Sequence, residues 1–292
     1  MTIQMYTHRA LLLSLGLGMA TATTLSAQNL NWEGQTGGLV TPFAYTAASG
    51  KGLGWPAVSY HYLGAGPVIG NFNQASVTMG AAGLAEFGYT RSFHWQGGTA
   101  GLSPLWGRGF NTVHGKVNLV RENMGGRKWV PAISAGGVAR TQVRNVGGYL
   151  GGRETHNGDA YLVATKTITE IKGLPVVVNG GWKATNASLF GLAGNAPAWQ
   201  GRWFGAGAMV LKGPAKTLFI AGSEFAQQPR RLEGVPPAII PATLTYFVRV
   251  APGIEKAHVN VDFAIAQVAG NILPGVNLKA RHQFGMGISY RR

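Results

Sequence analysis

The sequence predicts an all-β chain: a transmembrane, antiparallel, up-and-down β-barrel of about twelve strands, with ten or fourteen as the alternatives. Three observations predict it. Apolar residues alternate with small or polar ones along the clearer extended stretches. The 292 residues are 46% hydrophobic but only 12% charged, and 45 of them are glycine. Connections between strand candidates alternate between longer and shorter. Strand side chains point to opposite faces in turn, so the first feature gives each strand one oily side and one small or wet side. The second departs from a soluble enzyme and, without a collagen period, suits many short turns and closely spaced strands. The third is the build of a spanning barrel, with tight periplasmic turns and longer external loops.

The chain opens with an address. Met1 to Arg9 is followed by an apolar run from Ala10 to Ala20, and Leu25-Ser26-Ala27 offers a small-residue cleavage site, so residues 1–27 read as a signal peptide cut after Ala27. That run is too short for a permanent spanning helix, which takes about 20 residues. An exported chain that stays this hydrophobic without a spanning helix crosses a membrane as a closed sheet. Residues 28–55 read as a lead-in that either lies in the lumen as a plug or pairs briefly at the rim. Pro42 argues against a central strand there, because it has no N–H for the ladder.

Residues 56–292 form the expected barrel. Strand candidates fall at 56–63, 74–82, 84–94, 110–121, 129–140, 159–169, 174–184, 202–212, 216–227, 240–250, 258–268 and 276–290. Most approach the roughly 9 to 11 residues that a tilted barrel strand needs. The longer connections follow the first, third, fifth, seventh and ninth candidates. The alternation breaks at the last pair, where 269–275 is no longer than the connection before it. An even count lets both termini lie on the periplasmic side.

The faces give the barrel its outside. In the fourth candidate Val113, Val117 and Leu119 oppose Thr112, His114, Lys116 and Asn118; in the eleventh Val259, Val261, Phe263 and Ile265 oppose His258, Asn260, Asp262 and Ala264. A cation facing lipid at mid-depth costs roughly 2 to 4 kcal/mol, which makes the apolar face the outer one. Phe87, Tyr89 and Phe93 then face lipid, with Arg91 a discordant neighbour that must lie near an edge. Trp129, Trp182, Trp203, Tyr246 and Tyr290 are candidates for aromatic belts at the headgroups. Lys166 and Glu224 sit in strands whose alternation does not resolve.

This alternation points Glu86, His114, Lys116, Lys183, Arg249, His258 and Asp262 into the lumen. Mixed charges there allow two readings: a salt-bridged interior that stabilises the wall, or a narrow pore for small solutes. A barrel of about twelve strands has room for a small solute at most. Lys116, Lys183 and Arg249 would make such a pore prefer anions. The formal charge of +15 comes with no Lys/Arg run or recognition helix, so nucleic acid is not the expected partner; lipid and the phosphates of lipopolysaccharide are. Cysteine is absent, which removes disulfides, thiol chemistry and a lipidated N-terminus. The seven histidines show no metal-ligand spacing with acidic partners, and no cofactor is expected. A lipid hydrolase in the barrel wall would need a serine and histidine in contact at the outer rim. Ser92 with His94 is the nearest candidate, and His156 lies in a loop, but neither carries a recognisable flanking pattern. No enzymatic role is expected.

Two resemblances bear on location. The final stretch, with Gln283, Gly285, Ile288 and Tyr290, resembles the C-terminal signal by which bacterial outer-membrane barrels are recognised by the barrel assembly machinery; Arg291 and Arg292 depart from it by following the aromatic that usually ends the chain. Gly34-Gln35-Thr36-Gly37-Gly38-Leu39-Val40-Thr41-Pro42, Trp129-Val130-Pro131-Ala132-Ile133-Ser134-Ala135-Gly136 and Tyr161-Leu162-Val163-Ala164-Thr165-Lys166 resemble a proteobacterial family of exported proteins of uncharacterised function. More distantly they resemble outer-membrane barrels associated with exopolysaccharide production. These resemblances imply a barrel in the outer membrane of a Gram-negative bacterium, and an accessory role in the envelope or in polymer export as the alternative to a channel.

Overall fold

A computed structural model describes residues 29–47, 49–96, 106, 109–143, 155–171, 173–253, 258–267 and 269–291. The expected signal peptide, residues 1–27, lies outside the described residues.

The strands, in chain order, are β1 (Ala57–Gly64), β2 (Gly70–Ala81), β3 (Ala85–Gln96), β4 (Phe110–Val120), β5 (Ala132–Val143), β6 (Thr155–Ile168), β7 (Val176–Ser188), β8 (Gly194–Lys212), β9 (Leu218–Ala226), β10 (Arg231–Leu232), β11 (Val235–Ile239), β12 (Thr243–Ala251), β13 (His258–Gln267), β14 (Ala269–Leu273), β15 (Val276–Ala280) and β16 (Gln283–Arg291). Twelve of them close into one antiparallel barrel in the order β1-β2-β3-β4-β5-β6-β7-β8-β9-β12-β13-β16, with β16 returning to β1. The seam is continuous: Ala57 pairs with Arg291 and Leu63 with Gly285. Closure matters physically, because it leaves no row of unpaired backbone groups facing lipid.

The pleat sorts the side chains as the alternation predicts. Thr112, His114 and Lys116 of β4 are buried inside while Val113, Val117 and Leu119 are exposed outside. In β3, Phe87, Tyr89 and Phe93 face out beside buried Glu86, Thr90 and Ser92. Val58, Tyr60, Phe263, Ile265, Met286 and Ile288 continue that outward apolar surface around the seam. An apolar belt this continuous on a closed barrel has hydrocarbon as its solvent. No helix among the described residues is long and apolar enough to cross a membrane; the strands are what cross.

Three features correct the sequence reading. The stretch 276–290 is not one strand: Val276–Ala280 pairs with Ala269–Leu273 in a separate hairpin, and only β16 enters the wall. The last external connection is therefore 268–282, longer than the 252–257 connection before it. Another hairpin, β10 with β11, sits in the connection between β9 and β12. The connections after β1 and β7 are short, a one-turn helix at Gly66–Ile69 and a 3₁₀ turn at Leu189–Gly191. Here the paired strands themselves run on: β7 and β8 stay paired out to Ser188 and Gly194, with a register shift between Thr185 and Ala187. A shift of this kind bends a strand. Leu189, Phe190 and Leu192 at the hairpin tip are buried rather than extended into solvent.

Candidate functional site

The lumen is occupied by the chain's own N-terminal segment. Residues 29–47 carry too many turns for a strand: Asn31 Oδ1 accepts from the backbone N–H groups of Glu33 and Gln35 at 3.0 and 2.9 Å, and Gly34 adopts φ +82°. Two isolated bridges, Leu30 with Thr36 and Gly37 with Pro42, fold the segment back on itself. A Cβ on Gly34 would sit 2.7 Å from Thr90 Oγ1, so the backbone comes as close to the wall as only glycine permits.

Because the segment has few ladder bonds of its own, its backbone polar groups must be satisfied by the wall. Three wall ion pairs take part: Glu86, Lys116 and Arg249 bond the segment's backbone, and Arg140 holds the side chain of Glu33. Glu86 accepts from Thr36 N at 3.0 Å, Thr36 Oγ1 at 2.6 Å and Ala47 N at 2.7 Å. Lys116, 2.9 Å from Glu86, donates to the carbonyls of Thr36 and Phe43 at 3.1 and 2.8 Å. Arg140 bridges Glu33 of the segment, at 2.6 Å, and Asp159 of the wall, at 2.8 Å. Arg249 pairs with Asp262 at 2.6 Å and reaches the carbonyls of Gly37 and Gly38 at 3.4 and 3.1 Å.

The fourth holding point is Glu224. Its carboxylate accepts from three successive backbone N–H groups, Leu39 at 2.8 Å, Val40 at 2.9 Å and Thr41 at 2.9 Å, and from Thr41 Oγ1 at 2.6 Å. It is buried and pairs with no cation among the described residues, so oriented dipoles alone compensate its charge. Farther along, Ala44 N donates to Thr165 Oγ1 at 2.7 Å, and Ala44 O accepts from Asn118 and Ser134. Tyr45 donates to Glu122 at 2.9 Å near the turn end of the barrel.

The external mouth is closed separately. Phe190 lies against Lys183, whose Nζ is 5.0 Å from the ring centroid, and Trp106 Nε1 donates to Leu192 O at 2.6 Å. Phe72 meets Trp106 edge-on at 5.8 Å. Between the two closures lie cavities of about 40 Å³, beside Trp32, His61 and Phe190, and about 20 Å³, beside Glu33 and Lys183. A water needs roughly 10 to 15 Å³ of such space, so each of these two, lined by described residues, has room for a few waters at most.

The sequence-predicted lumen residues can now be placed. Glu86, His114, Lys116, Lys183, Arg249 and Asp262 are buried inside the barrel. His258 shares their parity but is the first residue of β13 and is exposed at the rim. Lys116, Lys183 and Arg249, expected to draw anions, do not form a free basic ring: Glu86, Asp159 and Asp262 stand beside them at 2.9, 3.7 and 2.6 Å. Sequence reasoning missed Arg140 and Asp159 and left Glu224 unresolved. In the final strand Gly285 is buried and Ile288 and Tyr290 face outward, with Gln283 half-buried at the strand's start. Of the hydrolase candidates, Ser92 is buried inside, whereas His94 lies 2.7 Å from the Ile69 carbonyl through Nε2 and packs on Phe72 and Trp106.

Closed strand pairing, an outward apolar belt and a polar, filled interior define an outer-membrane β-barrel. The chain belongs to the family described as "Protein of unknown function (DUF3034)", whose model matches residues 27–249, the inner segment included. No curated protein matches it. Solved structures of similar form include the NanC porin (8% identity, TM-score 0.49, covering 81% of this chain and 100% of that one). Others are the KdgM porin (9%, 0.46, 81% and 99%) and the outer-membrane protein OmpT of Vibrio cholerae (13%, 0.37, 82% and 96%). These are likenesses of form alone.

Proposed function

We propose that the protein is a barrel of the outer membrane that is closed as folded and passes small solutes only when residues 29–47 leave the lumen. The observation that carries this reading is the seating of the segment: its carbonyls and N–H groups are bonded to wall residues from β3 to β12, and the two cavities beside it among the described residues have the size of a few waters. A non-conducting structural or accessory barrel is the same reading with a segment that never leaves.

Departure is favoured by how the wall keeps its charges. Glu86 and Lys116 face each other in register across β3 and β4, as do Arg249 and Asp262 across β12 and β13. Arg140 and Asp159 join β5 and β6. These pairs stay whole without the segment. Among the described residues the buried charged wall residues are Lys116, Arg140, Lys183 and Arg249 against Glu86, Asp159, Glu224 and Asp262, a balanced set. An opened lumen is therefore expected to select weakly between anions and cations, in place of the anion preference expected from the lysines and arginine alone.

Planar-bilayer recording tests this. The intact chain is expected to be electrically silent and a variant lacking residues 29–47 to show small, weakly selective steps. Steady conductance of the intact chain would overturn the closed state. Silence of a correctly folded deletion variant would leave the accessory role as the reading.

A further inference from the structure

The end of the barrel carrying the tight turns presents exposed cations next to exposed apolar side chains. Lys51, Arg121, Arg127, Lys128, Lys212 and Lys216 are exposed there. Among the described residues of that end the acidic counterweight is small: Glu170 is exposed, and Glu122 is already engaged by Lys166 at 3.1 Å and Tyr45 at 2.9 Å.

The turn between β4 and β5 gathers the most. Its backbone is braced by Asn123 N to Val130 O at 3.0 Å, Gly126 N to Asn123 O at 3.0 Å and Val130 N to Arg127 O at 3.0 Å. Asn123, Gly125 and Gly126 all take positive φ, which makes the turn tight. On this frame stand Arg121, Arg127 and Lys128, with Met124 59% and Trp129 73% exposed beside them and Leu119 57% exposed on the outer face of β4. A tryptophan at that level puts its ring against acyl chains and its N–H among headgroups. Cations one layer farther out meet the phosphates.

We propose that this turn is a binding site for the anionic phospholipid headgroups of the periplasmic leaflet, with Trp129 and Met124 in the glycerol and upper acyl layer and Arg121, Arg127 and Lys128 on the phosphate. The charge and the apolar residues are both needed. Cations alone would bind any polyanion in solution, whereas exposed apolar side chains at the foot of a lipid-facing strand place the site at the bilayer surface.

The test uses the mature full-length protein in phosphatidylcholine bilayers carrying a minor share of brominated phosphatidylglycerol. The readout is the part of the tryptophan quenching that disappears in Trp129→Phe. In the wild type this part is expected to exceed the bulk share of the quencher, with about fivefold of preference per cation and on the order of one hundredfold for three. The excess is expected to vanish in the triple variant Arg121→Gln/Arg127→Gln/Lys128→Gln and at high salt. Quenching that follows bulk composition in the wild type overturns the proposal. So does an excess that survives in a triple variant retaining heat-modifiable migration. Should that variant not fold, an excess in the wild type that salt leaves unchanged overturns it equally.

Discussion

Thr41 and Glu224 meet twice inside the barrel: Glu224 Oε1 accepts from Thr41 N at 2.9 Å and from Thr41 Oγ1 at 2.6 Å, across 183 positions of sequence. With Leu39 N and Val40 N on the other oxygen, a single carboxylate fixes a whole turn of the inner segment. Glu224→Gln puts an amide N–H₂ where two donors now point. Hydrogen bonds to charged groups are worth about 1.5 to 3 kcal/mol each, so the variant is expected to shift the seated state by about 3 kcal/mol, roughly a hundredfold. The check is open probability in a planar bilayer, which rises while the barrel still migrates as folded.

Gly38 gives a second handle on the same contact. A Cβ there would collide with the Glu224 carboxylate. Gly38→Leu is expected to unseat the segment and open the barrel. In Gly38→Leu/Glu224→Ala the collision is relieved, so the two effects are expected to be strongly non-additive, the double variant opening little more than Glu224→Ala alone. A double variant whose effect equals the sum of the singles would show that the two residues do not share a contact.

The wall pairs predict a different pattern. Arg249 and Asp262 are buried register partners bonded at 2.6 and 3.1 Å. Asp262→Asn leaves a buried guanidinium without its counter-ion, which costs about 3 to 5 kcal/mol. Replacing both, Arg249→Leu/Asp262→Leu, is expected to cost far less. The temperature at which the folded gel band converts to the unfolded one is expected to fall steeply for the single variant and slightly for the double.

Lipid contact is graded by depth. Val113 and Leu119 share the outer face of β4, 51% and 57% exposed, but Val113 pairs with Tyr89 in the middle of β3 while Leu119 is next to the turn. Val113→Arg is expected to cost about 2 to 4 kcal/mol of folding into bilayers and Leu119→Arg about 0 to 1. Equal costs in a denaturant titration would contradict the assigned membrane depth.

Much of the wall was legible because one rule, alternation against a lipid solvent, acts on each strand by itself. Twelve strands, the outward sets on β3, β4 and β13 and the inward Glu86, Lys116 and Asp262 follow from it. It failed where neighbours decide. Nothing in the run Val276 to Tyr290 announces that Val276–Ala280 pairs with Ala269–Leu273 outside the wall, since both halves are extended. The inner segment was readable as a non-strand from Pro42, but its partners lie far off in sequence and reveal no spacing. Glu224 shows the limit best. Its register neighbours are Ala206 and Thr245, neither a cation, whereas Glu86 faces Lys116 and Asp262 faces Arg249. An inward acid with no cation opposite it is the signal that something else must supply donors, and it appears only once the register is known.

Amide hydrogen exchange at Leu39, Val40 and Thr41, in the intact protein in a bilayer, reads the seating of the inner segment most directly. Donated to a buried carboxylate, these three N–H groups are expected to resist exchange as long as the neighbouring wall strands do. Exchange at the rate of an open chain, with the strands still protected, would place the segment outside the lumen and contradict the closed barrel.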